Sequence, residues 1–205
     1  MSPGNTMVRV YGTLKARIMA GEYLPGERLD PGRLATGLAA SRTPVRDALL
    51  QLSGERLVDS WEQEGFRVPL VNEAAIRDMY EWSNDVIHAA IRAASRKPGP
   101  SHRPGDLPDL DYAGAVGTCF LDIADYSSNR EHRAAVSNLV DRSAAVRRAE
   151  SIIVEAAMDD VEAIQHSIAS FEWAAAARAV DQFHRRRIRL VAEIAAALRS
   201  REPRA

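Results

Sequence analysis

Two helix-start signals, Asp30-Pro31 and Thr43-Pro44, constrain the first seventy residues of this 205-residue chain more than any other feature. Each joins a side chain able to cap a helix to a proline whose missing N–H suits the first helical position. Asp30 is expected to open a short helix with Leu34, Ala35 and Leu38 as its apolar stripe. Thr43 is expected to cap the next helix, which buries Val45, Ala48, Leu49 and Leu52 at the spacing of one helical face. Ahead of both, Tyr11, Leu14, Ile18 and Met19 share a face, and Gly21 stands where helices commonly end. Residues 57–61 and 66–68 alternate as strands about the turn Glu62-Gln63-Glu64-Gly65. Helix, helix, short turn, helix, β-hairpin is the layout of a winged helix-turn-helix, expected over residues 1–70.

The texture changes near residue 70. Ala75, Met79, Trp82, Val86, Ala89, Ala90 and Ala93 are spaced as one long helix face. Amphipathic Ala-rich stretches recur at about 113–126, 130–157, 161–171 and 173–198, and no strand pattern appears. Residues 71–205 are therefore expected to form an antiparallel all-α bundle of about six helices. An irregular stretch at 95–112, with Pro98, Gly99, Pro100, Pro104, Gly105 and Pro108, interrupts it. The fold class predicted for the whole chain is mainly α.

Composition narrows the function. Hydrophobic residues at 46% provide for a packed core, and aromatics at only 6% favour helices over an all-β fold. A net charge of −1 leaves no general basic surface, so nucleic-acid binding must come from a local patch. Cys119 is the only cysteine, which excludes an intramolecular disulfide and a cysteine-based zinc site. The chain has no 18-residue apolar run and its first residues lack a signal-peptide core, so no membrane contact and a cytoplasmic location are expected. No Ser-His-Asp set, glycine-rich phosphate loop or HExxH motif argues for an enzyme.

The third helix carries the chemistry of DNA reading. The N-terminal turn of a recognition helix enters the major groove, and an arginine there can grip guanine O6 and N7 together. Arg42 lies just before that turn and Arg46 within it, with Ser41 and Thr43 as short donors for phosphate oxygens. Taken alone, the arginine pair also reads as ordinary solvated charge, since Asp47 stands beside Arg46. Later in the chain, Arg185, Arg186, Arg187 and Arg189 read as a solvated or dimer-edge face, and Cys119 as a small core residue.

The segment PGERLDPGRLATGLAASRTPVRDALLQLSGERLV, followed by EGFRV, resembles the DNA-binding domain of GntR-family bacterial transcription regulators over about residues 8–70. The resemblance implies an operator-binding homodimer on double-stranded, palindromic DNA. It also implies that Arg42 and Arg46 touch bases or phosphates, helped by Ser41, Thr43 and the wing glycine Gly65, with Arg33 as a phosphate contact. Two positions depart from the family pattern: Arg56 replaces a usual glycine after the recognition helix, and Glu64 replaces an arginine before the wing glycine. An acidic wing tip repels phosphate, so the recognition helix is expected to matter more than the wing.

The helical part is similar to the all-helical (FCD-type) effector domain of the FadR-like group, through Asp78-Met79-Tyr80-Glu81, Ser127-Ser128-Asn129 and the stretch from Phe171 to His184. That domain implies a small-molecule effector and often a metal held by one Asp and three His. The early metal ligands fall on Val116 and Phe120, or on Gly117 and Leu121 one residue over. The late ones fall on His184 and on Glu162 or the neighbouring His166, and the ligand-facing arginine falls on Ser83. The expectation is therefore no bound metal and no cofactor, with Ser83, His166 and His184 as candidate polar groups of an effector pocket. The two functions that remain are an effector-responsive DNA-binding regulator and a constitutive DNA-binding dimer whose helical part only assembles it.

Overall fold

The computed structural model describes residues 3–61, 65–96 and 110–200. The turn expected at 62–64 and nearly all of the Pro-rich stretch lie outside the described residues. The chain forms two compact units, one ending at Val71 and the other running Asn72–Leu198.

In the first unit, α1 (Pro3–Ala20) ends where Gly21 turns left-handed at φ 70°, and Glu22 N–H reaches back to Arg17 O at 3.0 Å. The chain then turns at Gly26, whose φ is +81° and whose missing side chain is matched by Leu70: a Cβ there would meet Leu70 Cδ2 at 2.8 Å. Gly26 N–H donates to Val68 O and Val68 N–H to Glu27 O, so the turn is stitched to the end of the wing. This stitching creates a strand that sequence reading did not foresee, β1 (Arg28–Leu29). Together with β2 (Asp59–Trp61) and β3 (Gly65–Arg67) it makes an antiparallel sheet of order β1-β3-β2, in which Phe66 faces Leu29 on one side and Ser60 on the other.

Asp30 caps α2 (Pro31–Gly37), its Oδ1 accepting from Arg33 N–H at 2.7 Å. Helix α3 spans Arg42–Gly54, and its N-cap is Ser41, not Thr43. Thr43 is the second helical residue and Pro44 the third, a place where the absent N–H is still one that no intrahelical carbonyl would meet. Val45, Ala48, Leu49 and Leu52 are buried, and with Val10, Leu14, Ile18, Leu38 and Phe66 they form the core of this unit.

Among its described residues the second unit has six helices: α4 (Glu73–Ala94), α5 (Tyr112–Tyr126), α6 (Arg130–Ile153), α7 (Ala157–Ala169), α8 (Trp173–Arg189) and α9 (Val191–Arg199). Helix α4 is rotated from the expected face. Ile76, Tyr80, Ser83, Val86, Ile87, Ala90 and Ile91 are buried, whereas Trp82 and Ala75 are exposed. The reason is size. The stripe led by Ile76, Tyr80, Ile87 and Ile91 removes more apolar area from water than the neighbouring alanine stripe. Phe120, Ile123, Val136, Ile164, Val180 and Phe183 complete the core.

Among the described residues, four non-glycine residues adopt the left-handed conformation: Ala39, Arg56, Ala156 and Phe171. Ala39, Arg56 and Phe171 each follow a helix C-cap, where glycine is favoured, and Ala156 is the N-cap of α7; Arg56 at φ 60° occupies the position where the resembling family carries glycine. An L side chain in this region costs about 1 kcal/mol. Arg56→Gly is expected to raise unfolding stability by roughly that amount, read as a higher urea midpoint at unchanged m-value.

Candidate nucleic-acid interface and a buried polar cluster

Helix α3 presents two different faces. Its apolar stripe is buried, while Ser41, Arg42, Thr43, Arg46 and Asp47 at its start are all exposed. Ser41 enters the helix with extended backbone and makes no side-chain cap bond. Arg42, Thr43, Arg46 and Asp47 line one side of an open cleft of ≈ 430 Å³, and Asp30, Pro31 and Gly32 line the other. Two guanidinium groups, a hydroxyl and the first helical turn thus converge on one opening. The Arg33 N–H, with further help from the Gly32 N–H and the charges of Arg28 and Arg42, holds the Asp30 carboxyl below the usual carboxylate range. Arg33 is exposed on α2, and Gly65 opens β3 at φ +87°, a conformation that suits glycine.

Of the candidate effector residues, the structure joins two and leaves one apart. Ser83 of α4 and His184 of α8 are both buried and lie 2.8 Å apart, Oγ to Nε2. His184 Nδ1 lies 2.8 Å from Val180 O. A carbonyl only accepts, so Nδ1 carries the proton, and Nε2 accepts from the Ser83 hydroxyl. His166 is exposed on α7 and does not join them.

Around this pair lies a cluster that sequence reading missed. Glu150 of α6 is fully buried and accepts from Tyr80 Oη (2.5 Å), Tyr112 Oη (2.7 Å), Arg147 Nη1 (2.8 Å) and Arg187 Nε (3.0 Å). Arg187 Nη1 also reaches Asp160 Oδ2 at 2.7 Å, and Arg186 Nη1 reaches Asp160 Oδ1 at 3.1 Å. The reading of Arg185, Arg186, Arg187 and Arg189 as a solvated or dimer-edge face is thereby corrected for Arg187, while Arg185 and Arg189 are exposed. Arg187 is completely buried, its guanidinium 3.5 Å from the Phe183 ring centre. The Arg147 guanidinium sits among the rings of Phe183 (5.0 Å), Tyr80 (5.5 Å) and Phe120 (5.6 Å). A signal did exist: Arg147, Glu150 and Arg187 fall on the buried stripes of their helices, where a solvated charge would not be placed.

The residues do not fit the metal that the resembling domain often holds. Val116 and Phe120 are buried core side chains, and the Phe120 ring stacks on His184 with centroids 5.8 Å apart. Gly117 is so close to Val140 that a Cβ would lie 2.9 Å from its Cγ1. Both nitrogens of His184 already have partners.

Burial, with the charges of Arg147, Arg187 and His88 adding to it, pushes the His184 pKa down from 6.5 to about 3. The unfolded chain therefore binds the proton first. The stability that neutral His184 contributes is complete above pH 6.5 and is lost as the pH falls from there toward 3. The urea midpoint is expected to drop between pH 7.5 and pH 5, and His184→Gln should remove part of that drop.

Residues 6–68 match the family model described as bacterial regulatory proteins, gntR family. The HTH-type transcriptional repressor GlaR of Escherichia coli (strain K12) is 37% identical over 71 residues, covering 35% of this chain and 32% of that protein. The Nta operon transcriptional regulator of Aminobacter aminovorans is 32% identical over 75 residues, covering 37% of this chain and 36% of that protein. The chain thus aligns with about a third of the length of these curated relatives. Two solved structures share the fold. They are E. coli McbR/YncC (TM-score 0.68, 17% identity, 92% of this chain and 97% of that one) and a transcriptional regulator GntR from Rhodococcus sp. RHA1 (TM-score 0.75, 18% identity, 90% and 96%). Over residues 6–68 the chain is thus similar to the gntR family of bacterial regulatory proteins, and the two curated relatives it matches there are named as transcription regulators.

Proposed function

We propose that this chain is a sequence-specific DNA-binding transcription regulator that works as a homodimer and responds to a small molecule bound in its helical unit. The observation that carries the DNA-binding reading is the opening of α3. Arg42, Thr43 and Arg46 gather on one cleft while the opposite face of the same helix is locked into the core. In this reading α3 enters the major groove and Arg42 and Arg46 touch base edges or phosphates. Ser41 and Thr43 bond phosphate oxygens, Arg33 neutralises a flanking phosphate, and Gly65 lets the wing turn beside the backbone. A palindromic operator needs two recognition helices roughly 34 Å apart, which a dimer supplies.

Arg46→Ala is expected to weaken operator binding in a gel-shift titration by about 1–3 kcal/mol, with the urea midpoint little changed, because the side chain is exposed opposite the core stripe. Arg33→Ala should weaken specific and random DNA alike and flatten the salt dependence by about one unit. Wild-type affinity in the first variant removes Arg46 from the interface.

Effector binding draws its support from Arg147, whose buried Nε has no partner among the described residues, and from the adjacent Ser83–His184 pair. A ligand would act by favouring one arrangement of the two DNA-binding units over another. The self-satisfied Glu150 cluster favours the second reading, in which the helical unit only assembles the dimer. A thermal-shift screen of the full chain against small metabolites separates them. A ligand that binds only the folded state raises the melting temperature, and an assembly module gives no hit.

A further inference from the structure

The corner between α2 and α3 places an arginine against a residue that has no side chain. A Cβ on Gly32 would stand 3.3 Å from both Nε and Nη2 of Arg42, and 3.1 Å from Asp30 Oδ1. These approaches are tighter than ordinary van der Waals contact, so one neighbour would have to give way. Asp30 cannot move freely, because the same Oδ1 holds the Arg33 N–H at 2.7 Å. Arg42 is the group that would be displaced. Gly32 is not held in the left-handed region: among the described residues the glycines with a positive φ are Gly21, Gly26 and Gly65. Its position is the second of helix α2, where alanine is the better helix former. Nothing in the backbone requires glycine there, and what remains is the space it leaves.

We propose that Gly32 is a positioning residue for DNA recognition: its bare α-carbon is the seat on which the Arg42 guanidinium rests, facing the cleft shared with Thr43 and Arg46. The inference deepens the DNA-binding reading and rests on it. A long, exposed arginine held against a wall loses less rotamer freedom when it meets a base edge, and a preorganised contact is a stronger one. The Asp30 carboxylate, whose Oδ1 borders the same corner, supplies an opposing charge near the guanidinium. The three atoms nearest a Cβ at Gly32 belong to Asp30 and Arg42, and none to Thr43 or Arg46.

The experiment uses the full chain. The wild type first selects duplexes from a random-sequence pool. The enriched duplex is then titrated in gel shifts against the wild type, Gly32→Ala, Arg42→Ala and the double variant, and urea midpoints are measured for all four. Gly32→Ala is expected to weaken the enriched duplex about tenfold, the order of one base contact, with a urea midpoint equal to or above the wild type. In the Arg42→Ala background the added methyl should change nothing further, because the group it displaces is gone. Wild-type affinity in Gly32→Ala overturns the proposal. So does an equal loss in both backgrounds, which would place the effect on some group other than Arg42. A wild type that enriches no sequence overturns the DNA-binding reading itself, and is told apart from the other failures because it appears before any variant is tested.

Discussion

The helical unit depends on one carboxylate. Glu150 is taken wholly out of water and is tolerable there only because Tyr80, Tyr112, Arg147 and Arg187 all donate to it. These donors come from α4, α5, α6 and α8, so a single acidic group ties four of the six helices to one point. Whether such a cluster adds net stability over a hydrophobic replacement is decided by desolvation, which is severe for every charge in it. What it does fix is arrangement. An apolar core accepts several packings of similar energy, whereas a buried carboxylate with four donors accepts few. Asp160 extends the same logic to α7, since its carboxylate holds both Arg186 and Arg187.

The DNA-binding unit is organised differently, by backbone more than by buried charge. The wing is anchored at both ends: β3 pairs with β2 inside the hairpin and with β1 outside it. Gly26 makes the outer pairing possible, because only a residue without a side chain clears Leu70 while turning left-handed. Asp30, at the end of β1, then opens α2, so the strand and the helix that precedes recognition share a boundary. The start of α3 is thereby hung on a short frame of sheet and helix, while the core stripe of α3 keeps Arg42 and Arg46 on its exposed side.

Much of this was legible from residues alone, and the failures have physical causes. The helix order, the Asp30 cap and the buried stripe of α3 follow from side-chain period and capping chemistry, which are local. The two-residue strand β1 is too short for any alternation to show, and exists only because β3 offers it a ladder. The N-cap moved from Thr43 to Ser41 because proline is tolerated anywhere in the first turn, not at its first place alone. The face of α4 was misjudged because two adjacent stripes are both apolar, and only packing against neighbours chooses between them. The Glu150 cluster was missed for a deeper reason: Arg147 and Arg187 look like solvated charges until their partners, which lie on other helices, are brought beside them. Ser83 and His184, singled out from a resemblance, do meet, but their neighbours Tyr80 and Arg147 carry no pattern that spacing could expose.

The placement of the three tryptophans gives the molecule a built-in optical division of labour. Trp61 in β2 and Trp82 on α4 are more than half exposed, at 57% and 52%, so both remain open to solvent in the folded chain. Trp173 is the one sheltered by an aromatic group, with Tyr126 at 5.5 Å and Phe171 at 6.4 Å between ring centres. Intrinsic fluorescence of the folded protein therefore reports two separate things. Quenching by a soluble agent such as iodide reads the wing and the outer face of α4, and the blue-shifted fraction that escapes quenching reads the corner between α7 and α8.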